Sequence, residues 1–82
     1  MYKDLLEYIV KNLVANPEKI QVAEVENEEK TVLKLSVAKE DMGRVIGKEG
    51  RIIRSIREII YAYAAKNSKK VSVDVEETKE NA

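Results

Sequence analysis

The chain has 82 residues, 44% of them apolar and 37% charged, with fifteen basic residues balanced by fifteen acidic ones. That is one small, soluble, globular domain, burying only about 60% of the surface its unfolded chain exposes. It holds no cysteine and no histidine. Disulfide staples, thiolate-bound zinc and the commonest general base and metal ligand are therefore excluded, and zinc or haem chemistry is not expected. Apolar runs are a few residues long, far short of the roughly 20 a membrane span needs. Acids interrupt the first residues where a signal peptide would need an apolar stretch, so the expected compartment is the cytoplasm.

In chain order, Leu5, Leu6, Ile9, Val10, Leu13 and Val14 recur at helical spacing and predict a first helix ended by Asn16-Pro17. Residues 20–26 and 31–37 read as two strands around the polar connection Asn27-Glu28-Glu29-Lys30. The second strand alternates cleanly, with Leu33, Leu35 and Val37 on one face. The first does not, because Val25 breaks the parity of Ile20 and Val22, and this predicts a bulge or an early end. Glu24, Glu26 and Glu28 alternate on it and are expected to protect an exposed edge rather than hold a metal.

A short helix over about 39–46 places Met42, Val45 and Ile46 at core spacing. A long helix over 51–66 follows Gly47-Lys48-Glu49-Gly50, its apolar face made by Ile52, Ile53, Ile56, Ile59, Ile60 and Tyr63. The four tyrosines all fall on helices and are expected to pack. After the polar turn Asn67-Ser68-Lys69-Lys70, Val71, Val73 and Val75 alternate as a last strand. The predicted fold class is α+β, in the order α-β-β-α-α-β, with helices packed on one face of a three-stranded sheet. The domain is expected over residues 1–76, with a flexible acidic tail over 77–82.

The zero net charge hides a division. Residues 42–70 hold eight basic and two acidic residues, a net of +6, which the rest of the chain offsets with −6. Such asymmetry is the footprint of a surface that meets a polyanion. All three glycines, Gly43, Gly47 and Gly50, fall in the same segment. Glycine turns the chain and lets a ligand approach the backbone closely, and N–H groups at a helix start favour phosphate. Arg51, Arg54 and Arg57 follow, where cations oppose the helix dipole, and so point to an anionic partner. The spacing fits neither a Walker loop nor a dinucleotide fingerprint: only three residues separate Gly43 from Gly47, and Glu49 stands where the Walker hydroxyl belongs.

The run Val45-Ile46-Gly47-Lys48-Glu49-Gly50-Arg51-Ile52-Ile53-Arg54-Ser55-Ile56 resembles the V-I-G-x-x-G-x-x-I-x-x-I signature of KH domains. The element order is similar to the type II, prokaryotic arrangement, and a lone domain of this length looks most like the small bacterial KhpA family of RNA-binding proteins. The resemblance implies a non-enzymatic protein that binds single-stranded RNA, its loop clamping the backbone of about four nucleotides. On that reading Gly47, Lys48, Glu49 and Gly50 carry the backbone contact, with Arg51 and Arg54 beside them. Ile46, Ile53 and Ile56 floor the groove, and Lys69 and Lys70 form its opposite rim. Glu49 puts a negative charge inside the loop. The resemblance further implies a post-transcriptional regulator or RNA chaperone that forms a homodimer and pairs with a larger Jag-type KH protein. No cofactor is expected. The alternative reading is a protein-interaction module that docks such a partner.

Overall fold

Central strand β2 (Thr31–Val37) decides the architecture, because its alternation turns Leu33, Leu35 and Val37 to one side and leaves Lys34 exposed on the other. In the computed structural model, which describes residues 2–78, the chain runs α1 (Tyr2–Lys11), β1 (Gln21–Glu26), β2, α2 (Met42–Ile46), α3 (Arg51–Lys66) and β3 (Val71–Glu77). The sheet order is β1-β2-β3. β1 pairs antiparallel with β2, Val22 opposite Leu35 and Glu26 opposite Thr31. β3 pairs parallel with β2, Val73 opposite Leu33. A parallel pair needs a crossover, and α2, the glycine loop and α3 supply it.

The core lies between the sheet and the helices. Leu6 and Val10 of α1, Val45 of α2 and Ile53, Ile56, Ile60 and Ala64 of α3 close over Val22, Leu33, Leu35, Val37, Val71 and Val73. This is the α+β architecture, with helices on one face of a three-stranded sheet, that the element order predicts.

Local chemistry fixes the connections. The Asn27 carboxamide oxygen accepts the N–H groups of Glu29 and Lys30, both at 2.9 Å, which closes the hairpin as an Asx turn. α3 ends in a Schellman turn: Ser68 is left-handed at φ 56°, and the Lys69 N–H reaches the Ala64 carbonyl at 2.8 Å. The short helix expected over 39–46 divides into a 3-10 turn (Lys39–Asp41) and α2.

Four expectations are corrected. β1 carries no bulge: its register with β2 is unbroken, and Val25 sits on the outer face of the sheet, exposed. Ile52 and Ile59 leave the core face of α3 and are 37% and 51% exposed, because they flank the buried stripe instead of lying in it. Tyr8 and Tyr61 are exposed too, whereas Tyr2 packs edge-on against Tyr63 with ring centroids 5.5 Å apart. Glu77, assigned to the tail, belongs to β3, and Thr78 donates its N–H to the Val37 carbonyl and its hydroxyl to the Lys19 carbonyl. The remainder of the expected tail, 79–82, lies outside the described residues.

Candidate nucleic-acid interface

The loop between α2 and α3 owes its shape to two glycines. Gly47 has φ 75° and ψ 175°, and Gly50 has φ 73° and ψ 18°, both backbone states that a side chain disfavours. At Gly47 there is a second constraint: a Cβ would stand 2.6 Å from Cγ1 and 2.9 Å from Cβ of Ile52. Ile52 therefore packs against the bare backbone of Gly47, which explains why it left the core face. Between the glycines, Lys48 and Glu49 form a short 3-10 turn, with Glu49 left-handed at φ 56°. No side chain caps the start of α3, because its N-cap is Gly50.

Four cations surround this turn, all exposed: Arg44 on α2, Lys48 in the loop, and Arg51 and Arg54 on the first turns of α3. The Glu49 carboxylate lies 3.5 Å from the Arg51 guanidinium, so the acid in the loop is paired with its neighbour across open solvent. Such a pair contributes little to stability, about 0–1 kcal/mol. Glu49 is the lone exposed acid of the loop itself.

Arg44 and Asp41 were absent from the expected site, and Asp41 has no signal in the local sequence. Its side chain is buried, just before α2. It accepts the Ala15 N–H at 3.0 Å, the Asn16 N–H at 3.0 Å and the Asn16 side-chain amide at 3.1 Å, with Arg44 at 3.6 Å. The Ala15 N–H, more than any other group, holds the carboxyl below its ordinary range; Asn16 and Arg44 act in the same direction, against the desolvation that burial imposes. The one buried charged side chain among the described residues thus ties the segment after α1 to the start of α2, and with it orients the helix that leads into the loop.

The structure brings Ile46, Gly47, Lys48, Glu49, Gly50, Arg51 and Arg54 together. It does not bring Ile53 or Ile56 to the surface: they are 7% and 3% exposed and belong to the core, so the apolar surface beside the loop is half-buried Ile46 and partly exposed Ile52. Nor does it bring Lys69 and Lys70 near the loop. They stand at the far end of α3, whose sixteen residues rise about 24 Å, and share a shallow recess with Glu26, Glu28 and Glu29 of the hairpin. The basic segment is thus two separate ends, and the second is faced by acids. Arg57 is committed elsewhere: its Nε donates to the Val73 carbonyl of β3 at 3.1 Å.

A helix, a G-x-x-G turn and a second helix crossing between parallel strands of a three-stranded sheet define a KH domain. Residues 3–75 match the model of the KhpA/KhpB KH domain, and the chain belongs to that family. It is 52% identical over 73 residues to a Clostridium acetobutylicum protein named RNA-binding protein KhpA, covering 89% of this chain and 97% of the relative. Relatives of the same name from Chlamydia caviae and Listeria monocytogenes are 46% and 47% identical, covering 94% and 89% of this chain and 99% and 96% of theirs. Among solved structures, Aquifex aeolicus Era bound to GDP.AlF4- superimposes with a TM-score of 0.62 at 15% identity, over 93% of this chain and 29% of that one. At that identity the likeness is one of fold alone.

Proposed function

We propose that the protein binds single-stranded RNA through the Gly47–Gly50 turn, which clamps the sugar–phosphate backbone, and acts as a post-transcriptional regulator or RNA chaperone in the cytoplasm, without catalysis. The observation that carries this reading is the turn itself: a side-chain-free approach at Gly50, an uncapped start to α3, and four exposed cations around it. A phosphate there gains backbone N–H donors and the positive end of a sixteen-residue helix. The names carried by relatives that match almost end to end support the same reading.

The test is a salt titration of binding to single-stranded and duplex RNA, for the parent and the variant K48D/E49D. Each neutralised phosphate on a single strand contributes about −0.7 to the slope of log K against log salt, so two to four contacts predict roughly −1.4 to −2.8. Both replaced side chains are exposed, and aspartate tolerates the left-handed backbone of position 49, so folding should change by less than about 0.5 kcal/mol. Losing one charge-assisted contact, about 1.5–3 kcal/mol, should weaken binding about ten- to hundredfold. A flat salt dependence, duplex preference, or a double variant that binds like its parent refutes the clamp.

A second reading rests on α3. Ile52 and Ile59 are exposed seven residues apart, with half-buried Tyr63 one further turn along the same flank. This apolar stripe supports a protein contact compatible with RNA binding: a homodimer, or a larger Jag-type KH partner.

A further inference from the structure

Glu49 stands where the charge of its surroundings argues against an acid. Residues 42–57 hold five basic residues, Arg44, Lys48, Arg51, Arg54 and Arg57, and Glu49 alone opposes them. Local conformation does not ask for glutamate. The residue is left-handed at φ 56° and ψ 24°, a state that glycine enters freely and asparagine or aspartate more readily than longer side chains. Stability asks for it little more. Its partner is Arg51, Nη2 to Oε2 at 3.5 Å, and the two side chains are 68% and 74% exposed, so water and salt screen the pair.

What the pair does change is the availability of Arg51. That residue opens α3 directly after the uncapped glycine, where the field of the helix and a guanidinium together attract an anion. In the free protein the guanidinium already has one, the Glu49 carboxylate. Carboxylate and phosphate offer a guanidinium the same kind of acceptor oxygens, so they compete for its donors. A phosphate of bound RNA can use Arg51 fully only after Glu49 has let go. Both side chains are exposed, so nothing in the fold prevents that exchange.

We propose that the Glu49–Arg51 pair is a built-in competitor of the RNA backbone: in the free protein Glu49 stands in for a phosphate on Arg51, and binding exchanges one anion for the other. The inference rests on the clamp reading above and adds to it a control on affinity. The exchange keeps the clamp weak and its RNA replaceable.

The experiment measures melting temperature, and affinity across a salt titration, for a labelled single-stranded 12-nucleotide RNA of mixed sequence. Parent, Glu49→Gln, Arg51→Ala, E49Q/R51A and K48D/E49D are compared, each as the full chain. Glutamine keeps the size of the side chain and removes its charge. Glu49→Gln should bind about two- to fivefold tighter at low salt, the scale of one exposed ion pair. Its salt slope should steepen by about 0.7, because the freed Arg51 neutralises one further phosphate. In the Arg51→Ala background the same change should gain less than about half as much on a logarithmic scale, since the competition has lost its object. Glu49→Gln should melt within about 8 °C of the parent. Parent-like or weaker binding by Glu49→Gln, alongside a K48D/E49D variant that has lost binding, overturns this inference alone. A gain equally large without Arg51 also overturns it, because the acid then acts through overall charge and not through that residue. A larger fall in melting temperature means that the fold needs the acid, and overturns it too. A K48D/E49D variant that binds like the parent overturns the clamp reading and this inference with it.

Discussion

Alanine at Gly47 and alanine at Gly50 should have unequal effects on stability, and the structure says by how much and why. Both positions hold positive φ, but Gly47 at ψ 175° is in a region that residues other than glycine scarcely enter, while Gly50 at ψ 18° is in the left-handed helical region. The backbone strain is about 1–3 kcal/mol at the first and about 1–2 kcal/mol at the second. The space differs more. At Gly50 the new methyl lies 4.0 Å from Cγ2 of Ile53, an ordinary contact, whereas at Gly47 it lies 2.6–2.9 Å from three carbons of Ile52. Those carbons include Cβ, which no rotamer change can move, and a β-branched residue in a helix has one strongly preferred rotamer. Overpacking of this kind adds about 1–3 kcal/mol. Gly47→Ala should therefore cost roughly 2–6 kcal/mol, a large part of the roughly 4–12 kcal/mol an 82-residue domain has. Thermal unfolding followed by circular dichroism should show a fall of about 10–30 °C for Gly47→Ala and about 5–10 °C for Gly50→Ala. Pairing Gly47→Ala with Ile52→Ala helps to separate the two causes, since trimming Ile52 removes the contacts with Cγ1 and Cδ1 but leaves the Cβ contact and the backbone strain, so part of the loss should return. If Gly47→Ala melts within about 3 °C of the parent, or Ile52→Ala restores nothing, the account of this turn is wrong.

The Asp41 carboxyl, held below its ordinary range when folded, contributes stability that is fully present above the unfolded-state value near 4 and is lost as pH falls through the lower folded value. Melting temperature measured from pH 7 down to pH 2 should drop steeply in the acid limb for the parent, and Asp41→Asn should melt lower at pH 7 with a flatter limb; equal slopes would refute the role given to Asp41. If the exposed flank of α3 is a protein contact, Ile59→Asp should shift light-scattering mass toward the monomer in the micromolar range without lowering the melting temperature by more than a few degrees. A parent that is already monomeric there removes the homodimer. Arg57→Ala leaves the Val73 carbonyl without its guanidinium partner and should cost about 1 kcal/mol, seen as a shift of about 4–8 °C in thermal unfolding.

Sequence alone determined what depends on neighbours along the chain. The alternation of Leu33, Leu35 and Val37 gave β2 its bounds, the glycine turn gave α3 its start, and the Val45–Ile56 run gave the class of domain. Even the boundary at Lys66 was legible, because a polar turn follows it. What the sequence could not decide was which side of an element meets which neighbour. Periodicity put six apolar residues on one face of α3, yet that helix buries a stripe narrower than the apolar arc, so Ile52 turned to Gly47 and Ile59 to solvent. The run of basic residues read as one surface, but a helix of sixteen residues divided it, leaving Lys69 and Lys70 among the acids of the hairpin. Asp41 was invisible for a related reason: its partners lie 25 and 26 residues earlier, and a buried carboxylate acquires meaning only when the fold supplies the N–H groups that replace its water. Local patterning sets conformation because backbone angles and alternation are short-range properties; packing partners and fields are set by distance in space, which only the closed structure defines.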